Sequence, residues 1–361
     1  MVVAAAHLDH RAHLRWAIFD LGRARQDHES TAQEHGVSAG VLEVKDLRVY
    51  YHTSHGTVKA VDGVSFSLAQ NERLGLVGES GSGKSTTGLA ILRLIKPPGK
   101  IEQGEVRLDG IDVLGLSEAE MRRIRLGALA LVAQGAMNSL NPVMRVGDQI
   151  TDALVDHGVR ASAREYVDRI GQLFERVGLR REIANRFPHE LSGGMKQRVC
   201  IALAISLRPK VIVADEPTSA LDVVVQRQVM DTLADVQTDL GAAVILIGHD
   251  MGLMAQFVDR LGVMYAGELV EVSPMEDVYA EPLHPYTRLL IACLPSLEQK
   301  GVFTGIPGLP PSLMSPPPGC PFHPRCPHVM ERCRIERPVL RQVQSDRWVA
   351  CHLFGGEAGA E

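Results

Sequence analysis

The sequence predicts an α/β fold, and two stretches far apart in the chain carry that prediction. In LGLVGESGSGKSTTGLAILRLI, residues 74–95, a short apolar run leads into a glycine-rich turn and then into an apolar pattern with helical spacing. In VIVADEPTSALD, residues 211–222, an apolar run ends in two adjacent acids. Strands that deliver polar side chains at their carboxyl ends are typical of α/β sheets. With 361 residues, 45% of them hydrophobic, the chain can form more than one domain.

Composition and charge exclude several classes of function. No apolar run approaches the roughly 18–20 residues that a membrane-spanning helix needs. The N-terminus has no basic start before an apolar stretch of signal-peptide length, so we expect reduced thiols rather than disulfides. The net charge is −5 and basic residues are scattered along the chain, which provides no surface for nucleic acid. Any polyanion that the chain binds is therefore expected to be small.

The glycine-rich turn fits G-x-x-x-x-G-K-[ST] from Gly78 to Ser85, the pattern of a phosphate-binding loop. Glycines allow backbone N–H groups to converge on phosphate oxygens at a helix N-terminus. Lys84 is expected to reach the outer phosphates, and Ser85 to bind Mg²⁺. The loop residues predicted to hold the nucleotide are Gly78, Glu79, Ser80, Gly81, Ser82, Gly83, Lys84, Ser85 and Thr86.

The two acids at the end of the second strand predict a site for nucleotide hydrolysis. Asp215 is expected to hold the Mg²⁺ shell through water. Glu216 is expected to polarise the water that attacks the γ-phosphate. One carboxylate would thus serve the metal ion and the other the nucleophile.

A third stretch, ELSGGMKQRVCIALAISLRP at residues 190–209, predicts a helix capped by Ser192, whose N-terminus can bind a second anion. Its LSGGM resembles the LSGGQ signature of the ATP-binding-cassette (ABC) family, with Met195 at the last position. The resemblance covers about residues 41–275. It implies a P-loop NTPase fold of the ABC ATPase type with an antiparallel β subdomain, a helical subdomain, and ATP as the nucleotide.

The resemblance also implies that one chain cannot close its own ATP site. In this family two cassettes pair head to tail. Ser192, Gly193 and Gly194 of one chain would then complete the site built on the phosphate loop of the other. Only one phosphate loop and one signature occur in the sequence, so a second cassette, identical or related, is required.

The resemblance assigns four further residues to the ATP site. Gln134, in LVAQGAMNSLNP, matches the glutamine that touches Mg²⁺ and couples the site to a membrane partner. His249, in LIGHDMGL, matches the histidine that contacts the γ-phosphate. Asp222 ends the SALD loop that begins at Ser219 and communicates across the dimer, and Tyr51 sits where an aromatic ring stacks on adenine. An ordinary turn and a tyrosine packed in the core remain open for the last two assignments.

These patterns divide the chain into four parts. Residues 1–40 are expected to be a flexible N-terminal extension, with an amphipathic helix as the alternative. Residues 41–133 and 206–283 are predicted to form the nucleotide-binding core. Apolar residues spaced by three and four predict a helical signature subdomain over 134–205. Residues 284–361 form a proline-dense C-terminal extension.

Near its end the C-terminal extension gathers four of the chain's six cysteines, with 5, 6 and 17 residues between Cys320, Cys326, Cys333 and Cys351. A proline-dense segment forms few ladder hydrogen bonds and cannot easily build its own core, so a metal staple is expected. Structural Zn²⁺ usually takes thiolates as close C-x-x-C pairs, which are absent here, whereas a [4Fe–4S] cluster tolerates wider spacing. The spacing therefore leaves both metals open.

A narrower resemblance concerns HPYTRLLIACLPS and the GIPG, PP, PRCP and ACH segments that follow it within residues 284–352. They resemble the C-terminal extension of dipeptide and oligopeptide permease ATPases, which implies an iron–sulfur cluster on the four cysteines. The resemblance implies the D-type ATPase subunit of a prokaryotic peptide importer, at the cytoplasmic face of the membrane. Its partners would be a related F-type ATPase subunit, two transmembrane permease subunits and an extracytoplasmic substrate-binding protein.

Three alternatives remain open at the level of sequence. The same type of ATPase also serves importers of oligosaccharides and nickel. A soluble ABC ATPase that acts on nucleic acid or ribosomes would usually contain two cassettes or a long coiled coil, and neither is in the sequence. A redox sensor that uses the cassette only as a scaffold would not need Glu216 and His249.

Overall fold

The computed structural model of the chain describes residues 40–135, 139–293 and 305–354. The predicted N-terminal extension lies outside the described residues except for Gly40. Within the described part, two sheets and the helices packed on them form an α/β architecture. The α/β fold predicted from the sequence is therefore confirmed.

The first sheet is antiparallel and has four strands within the described ranges. Its order is β2-β1-β4-β5, with β1 Leu42–Thr53, β2 Gly56–Leu68, β4 Gly99–Leu108 and β5 Ile111–Asp112. Side chains of β1 that alternate along the strand are fully buried in the core beneath the sheet, Leu42 and Val44 among them. This sheet corresponds to the antiparallel subdomain that the sequence predicts.

The second sheet contains the strands that the phosphate loop and the paired acids follow. In the described residues its order is β11-β12-β10-β9-β3-β8-β7-β6, and β9, β3, β8, β7 and β6 run parallel. Both faces of the parallel part are covered, so β7 and β8 are buried at every residue and their sequences are continuously apolar until Asp215. The strands are β3 Arg73–Val77, β6 Leu129–Val132, β7 Val211–Asp215, β8 Ala243–Ile247, β9 Arg260–Tyr265, β10 Glu268–Pro274, β11 Arg341–Gln344 and β12 Arg347–Val349.

Helices cover this sheet and also form a separate helical layer. The layer consists of α3 (Val146–Asp156), α4 (Ala163–Arg176) and α5 (Gly193–Ala204), and Phe174 on α4 is fully buried. Cys200 on α5 is buried in the same core, and burial raises the pKa of its thiol to about 12. The helices are α1 Lys84–Ile91, α2 Glu118–Ile124, α3 Val146–Asp156, α4 Ala163–Arg176, α5 Gly193–Ala204, α6 Val223–Leu240, α7 Met251–Phe257, α8 Met275–Ala280, α9 Pro285–Ala292 and α10 Glu331–Ile335. None of these described helices is long and apolar enough to cross a bilayer.

The C-terminal extension shares the core of the main sheet instead of standing alone. Strand β12 pairs antiparallel with β10, so the extension continues the eight-stranded sheet. Phe322 is 1% exposed and belongs to the main hydrophobic core. The extension therefore packs apolar side chains into the core of the neighbouring sheet, a source of stability that the sequence analysis did not predict.

Candidate functional site

Five predicted segments meet at one cavity of about 600 Å³. Its lining combines residues of the phosphate loop with Tyr51, Gln134, Glu216 and His249. Strands β3, β6, β7 and β8 are parallel, so the loops that follow them emerge at the same edge of the sheet. The structure thus brings together residues that the sequence predicts from separate motifs.

The phosphate loop depends on glycine at two positions where the backbone is left-handed and tightly enclosed. At Gly78 φ is 148°, and a Cβ would lie 2.1 Å from the carbonyl oxygen of Met264. At Gly83 φ is 103°, and a Cβ would lie 2.3 Å from the carbonyl oxygen of Ala60. Any side chain at either position would push the loop off the sheet.

Lys84 presents a buried ammonium group to the cavity. Its Nζ donates to the carbonyl oxygens of Gly78 at 2.8 Å and Glu79 at 2.9 Å. Burial lowers the pKa of Lys84, and the carboxylates of Glu216 and Asp215 oppose that shift. The loop therefore holds a positive charge beside two acids, a combination suited to a phosphate that arrives with a divalent cation.

The hydroxyl of Ser85 meets the first acid directly. Its Oγ donates to Oδ1 of Asp215 at 2.9 Å. Burial raises the pKa of Asp215, the charge of Glu216 adds to that effect, and the hydrogen bond from Ser85 counteracts it. The Ser85 hydroxyl, the Asp215 carboxylate and the carboxamide oxygen of Gln134 are hard oxygen donors, so the residues present fit Mg²⁺.

Glu216 is fixed in a strained conformation immediately after β7. Its φ is 45°, in the left-handed region that non-glycine residues rarely adopt, and its N–H donates to the carbonyl oxygen of Ile247 at 2.9 Å. Gln134 Nε2 donates to Glu216 Oε2 at 2.9 Å, and Nδ1 of His249 lies 3.4 Å from Oε1. Each carboxylate oxygen of Glu216 thus has a side-chain partner from a different loop.

Other predicted site residues do not line this cavity. Ser82 is buried, and its Oγ accepts from Nζ of Lys84 at 3.3 Å. Ser192 caps α5, as the sequence predicts, because its Oγ accepts the N–H of Met195 at 3.4 Å. The remaining four are Asp215 at the end of β7, Gly193 and Gly194 in the first turn of α5, and Asp222 at the N-cap of α6. Their assignments to nucleotide or Mg²⁺ binding stay predictions.

Sequence reasoning missed several apolar residues of the cavity wall. Val58 and Ala60 come from β2 and Met251 from α7, while Leu290 and Leu313 come from the C-terminal extension. The backbone of the extension is fixed here, since the carbonyl oxygen of Leu313 accepts the N–H of Lys59 at 3.1 Å. No local pattern identifies Leu290 or Leu313, because their place depends on how the extension folds back.

Four cysteines of the extension, Cys320, Cys326, Cys333 and Cys351, lie within electrostatic reach of one another. Burial raises the pKa of Cys320 to about 12, and Cys333, Cys351 and Cys326 raise it further. Within the described residues, no group of three or more His, Cys, Asp or Glu side chains is arranged to hold a metal ion. The structure therefore does not support the predicted [4Fe–4S] cluster or its Zn²⁺ alternative.

Two protein-family models match segments of the chain. "ABC transporter" matches residues 61–219, and "Oligopeptide/dipeptide transporter, C-terminal region" matches residues 270–333. The chain is similar to the oligopeptide transport ATP-binding protein of Bacillus subtilis (strain 168), with 42% identity over 88% of this chain and 90% of the relative.

Two further similarities concern a second relative and a solved structure. The dipeptide transport ATP-binding protein of Caldanaerobacter subterraneus subsp. tengcongensis is 42% identical over 87% of this chain and 97% of its own length. The fold resembles that of a dimeric ATP-binding cassette in a post-hydrolysis state, bound to ADP and phosphate. The TM-score is 0.59 at 28% identity, over 65% of this chain and 98% of that one.

Proposed function

The chain belongs to the ABC transporter family and carries the C-terminal region of oligopeptide and dipeptide transporters, and we propose that it is the ATP-hydrolysing subunit of a peptide importer. The observation that supports this function best is the meeting of Lys84, Glu216 and His249 at one cavity. The names of the relatives, oligopeptide and dipeptide transport ATP-binding proteins, support peptides as the cargo. The site of action would be the cytoplasmic face of a bacterial membrane.

ATP binding would use the phosphate loop and the residues around it. Backbone N–H groups from Gly78 to Ser85 and the ammonium of Lys84 would hold the outer phosphates. Tyr51 lines the cavity and would stack on adenine. Ser85, Asp215 and Gln134 would hold Mg²⁺, which neutralises charge on the transferred phosphate.

Hydrolysis would depend on the fixed carboxylate of Glu216. Its oxygens have partners in Gln134 and His249, so the carboxylate is oriented before a water reaches it. Glu216 would accept a hydrogen bond from the attacking water and polarise it. His249 would contact the γ-phosphate. The strained backbone at Glu216 supports this role, since such strain is concentrated at functional positions.

A second cassette would complete the site. Ser192, Gly193 and Gly194 do not line the cavity of their own chain. The N-terminus of α5 could instead meet the phosphates held by another chain, where its dipole favours an anion. Asp222 would lie at that contact, and a related F-type chain is the partner that we propose. Copurification of both chains with ATP would test this arrangement, and an ATP-dependent dimer of this chain alone would argue for an identical partner.

The wider assembly would contain two transmembrane permease subunits and an extracytoplasmic substrate-binding protein. No residue of the cavity would contact the cargo, so the choice of peptide would belong to those partners. Uptake of labelled di- and oligopeptides by cells with and without this chain would test the cargo. Loss of nickel or oligosaccharide uptake instead, with peptide uptake unchanged, would contradict it.

The four cysteines of the extension are proposed as a [4Fe–4S] site, with Zn²⁺ as the alternative. The support is chemical: four thiols lie within electrostatic reach of one another, and four thiolates are the donor set of such a cluster. A cluster is larger than one ion and needs its ligands less closely grouped. Iron, sulfide and zinc should be measured in anaerobically purified chain and in a Cys320→Ser, Cys326→Ser variant. Equal metal content in the two proteins would contradict the site.

Replacement of the proposed base, Glu216→Gln, is the direct test of hydrolysis. We expect phosphate release to fall at least about a hundredfold, because the amide cannot accept a proton from water. The Kd for ATP should stay within about twofold of that of the parent chain, since Gln134 and His249 can still contact the amide group of the new side chain. Phosphate release and calorimetric titration with ATP measure the two quantities.

The matched control for this experiment is Glu175→Gln. Glu175 is exposed and pairs with Arg181 on the helical layer, away from the cavity. Its variant should hydrolyse ATP at the parent rate. Unchanged turnover in Glu216→Gln would exclude Glu216 as the base, and absence of ATP binding in the parent chain would overturn the proposed function itself.

A further inference from the structure

The C-terminal extension contacts the phosphate loop through one buried arginine. Nη1 of Arg325 donates to Oε2 of Glu79 at 2.6 Å, and Nη2 donates to Oε1 at 2.9 Å. The Arg325 side chain is 4% exposed and the Glu79 side chain 26%. A bidentate pair with so little exposure is screened far less than a surface ion pair.

The guanidinium of Arg325 uses its full set of donors in this position. Nε donates to the carbonyl oxygen of Pro307 at 2.9 Å, and Nη2 also donates to that of Ile306 at 3.2 Å. Nη1 also donates to Oη of Tyr265 at 3.3 Å. Because an arginine has five N–H groups and each has an acceptor here, the position of the charge is fixed.

The phosphate loop is held at the same residue by a second group of the extension. The backbone N–H of Glu79 donates to Oη of Tyr286 at 2.8 Å. Tyr286 is fully buried and packs against Phe322, with 5.4 Å between the ring centroids. Both the main chain and the side chain of Glu79 are therefore set by α9 and by the cysteine-bearing segment.

The carboxylate of Glu79 needs such a partner because of where it lies. Glu79 lines the nucleotide cavity; burial lowers the pKa of Lys84, and the charge of Glu79 is one of those that oppose this shift. Without a cation beside it, this carboxylate would compete with phosphate for the ammonium of Lys84 and would repel the triphosphate. Neutralisation of Glu79 is thus a condition for tight binding of a polyanion at this loop.

We propose that Arg325 is a positioning residue of the ATP site, which neutralises Glu79 and holds its carboxylate away from the triphosphate, so that the C-terminal extension sets the affinity for ATP. The inference rests on the proposed function. Arg325 is the last residue of the short 3-10 turn His323–Arg325, between Cys320 and Cys326. The N–H of His323 donates to the carbonyl oxygen of Cys320 at 3.0 Å, so the conformation of the thiol-bearing turn also determines where the guanidinium lies.

The test is nucleotide binding by the full chain and by Arg325→Met, which keeps most of the side-chain length and removes the charge. The probes are fluorescent N-methylanthraniloyl derivatives of ATP and AMP. We expect the Kd for the ATP derivative to rise about tenfold, as for one uncompensated charge near the phosphates, and the Kd for the AMP derivative to change less than about twofold. Adding Glu79→Gln to Arg325→Met should restore the parent Kd, because no carboxylate is left to neutralise.

The matched control is Arg332→Met in the same extension. Arg332 makes a bidentate pair with Glu336 at 2.6 and 2.7 Å, but both side chains are about half exposed and neither lines the cavity. Both Kd values should stay at those of the parent chain. Equal weakening of ATP and AMP binding in Arg325→Met, without rescue by Glu79→Gln, would reduce Arg325 to a structural role and overturn the proposal.

A second variant covers the case in which Arg325→Met does not fold. Glu79→Gln alone leaves the guanidinium in place and removes the negative charge, so ATP binding should tighten by about fivefold. Unchanged or weaker ATP binding in a folded Glu79→Gln chain would overturn the proposal. A parent chain that binds neither derivative would instead contradict the proposed function, which separates the two failures.

Discussion

The nucleotide cavity and the C-terminal extension differ in how far along the chain their contacts reach. In the phosphate loop, Lys84 bonds to Gly78 and Glu79, which are 6 and 5 residues away. In the extension, Arg325 bonds to Glu79 across 246 residues, and Tyr286 bonds to the same residue across 207. Local sequence thus builds the phosphate-binding surface, while tertiary folding adds the groups that hold it in position.

The largest effect on stability should come from Phe322→Ala, which removes the aromatic contact between the extension and the main sheet. Phe322 is 1% exposed, and its ring centroid lies 5.2 Å from that of Tyr265 and 5.4 Å from that of Tyr286. We expect the free energy of unfolding to fall by about 4 kcal/mol, the sum of lost burial and an unfilled cavity. Denaturant titration followed by tryptophan fluorescence and circular dichroism measures the change.

The control for Phe322 lies on the same proline-dense extension. Leu309 is 87% exposed, so Leu309→Ala should change the free energy of unfolding by less than about 0.5 kcal/mol. If Phe322→Ala instead produced a separate early transition and left the main one unchanged, the extension would be an independent unit. The shared core described for the two regions would then be wrong.

The next largest effect should be a loss of ATP affinity in Lys84→Ala, which changes the locally built phosphate loop. Loss of the buried ammonium should weaken ATP binding by about 3 kcal/mol, a little over a hundredfold in Kd. The change should exceed that of Arg325→Met, because Lys84 meets the phosphates directly and Arg325 acts through Glu79. Calorimetric titration with ATP provides the comparison.

Lys210→Ala is the matched lysine control. Lys210 is 57% exposed and pairs with Asp109 on the surface. Its loss should leave the Kd for ATP unchanged within error. Normal ATP affinity in Lys84→Ala would exclude the phosphate-loop function of this lysine.

Local patterns were sufficient to predict the phosphate loop and the acid that faces it across the cavity. A strand followed by a glycine loop and a helix defines the geometry around Lys84, and a buried strand that ends in two acids fixes Glu216. Gln134 and His249 came from resemblance to a family, and the structure brings both to Glu216. The predicted α/β fold follows from the same strands, since their continuous apolar sequences require cover on both faces.

The contacts of the extension could not be predicted in this way. Arg325 and Leu313 lie in proline-dense segments whose sequence specifies an extended backbone but no partner. Arg325 and the backbone of Leu313 are held instead by Glu79 and Lys59, which are more than 240 residues away in the sequence. The sequence analysis considered only a metal staple as the source of stability for the extension. The apolar surface against which the extension packs is distant in the sequence, so no local pattern revealed it.

The smallest effect should be a pH dependence of the free energy of unfolding, caused by Glu268 where it meets the extension. Burial raises the pKa of Glu268 to about 7, and Asp62 adds to the shift while Arg337 of the extension opposes it. Arg337 contacts the carboxylate of Glu268 and also lies 3.7 Å from Asp62. The folded pKa exceeds the ordinary value of 4.5, so the folded chain retains a proton that the unfolded chain has released.

The sign of the pH effect follows from that difference. The stabilising contribution of Glu268 is complete below its unfolded pKa of 4.5 and is lost as pH rises through about 7. Between pH 5 and 8 the free energy of unfolding of the parent chain should therefore fall by about 2 kcal/mol relative to Glu268→Gln. Denaturant titrations of both chains across this range measure the difference. Parallel pH profiles would mean that Glu268 is ionised in both states, and the edge where Arg337 meets it would then be hydrated, unlike the buried contact of Arg325 with the phosphate loop.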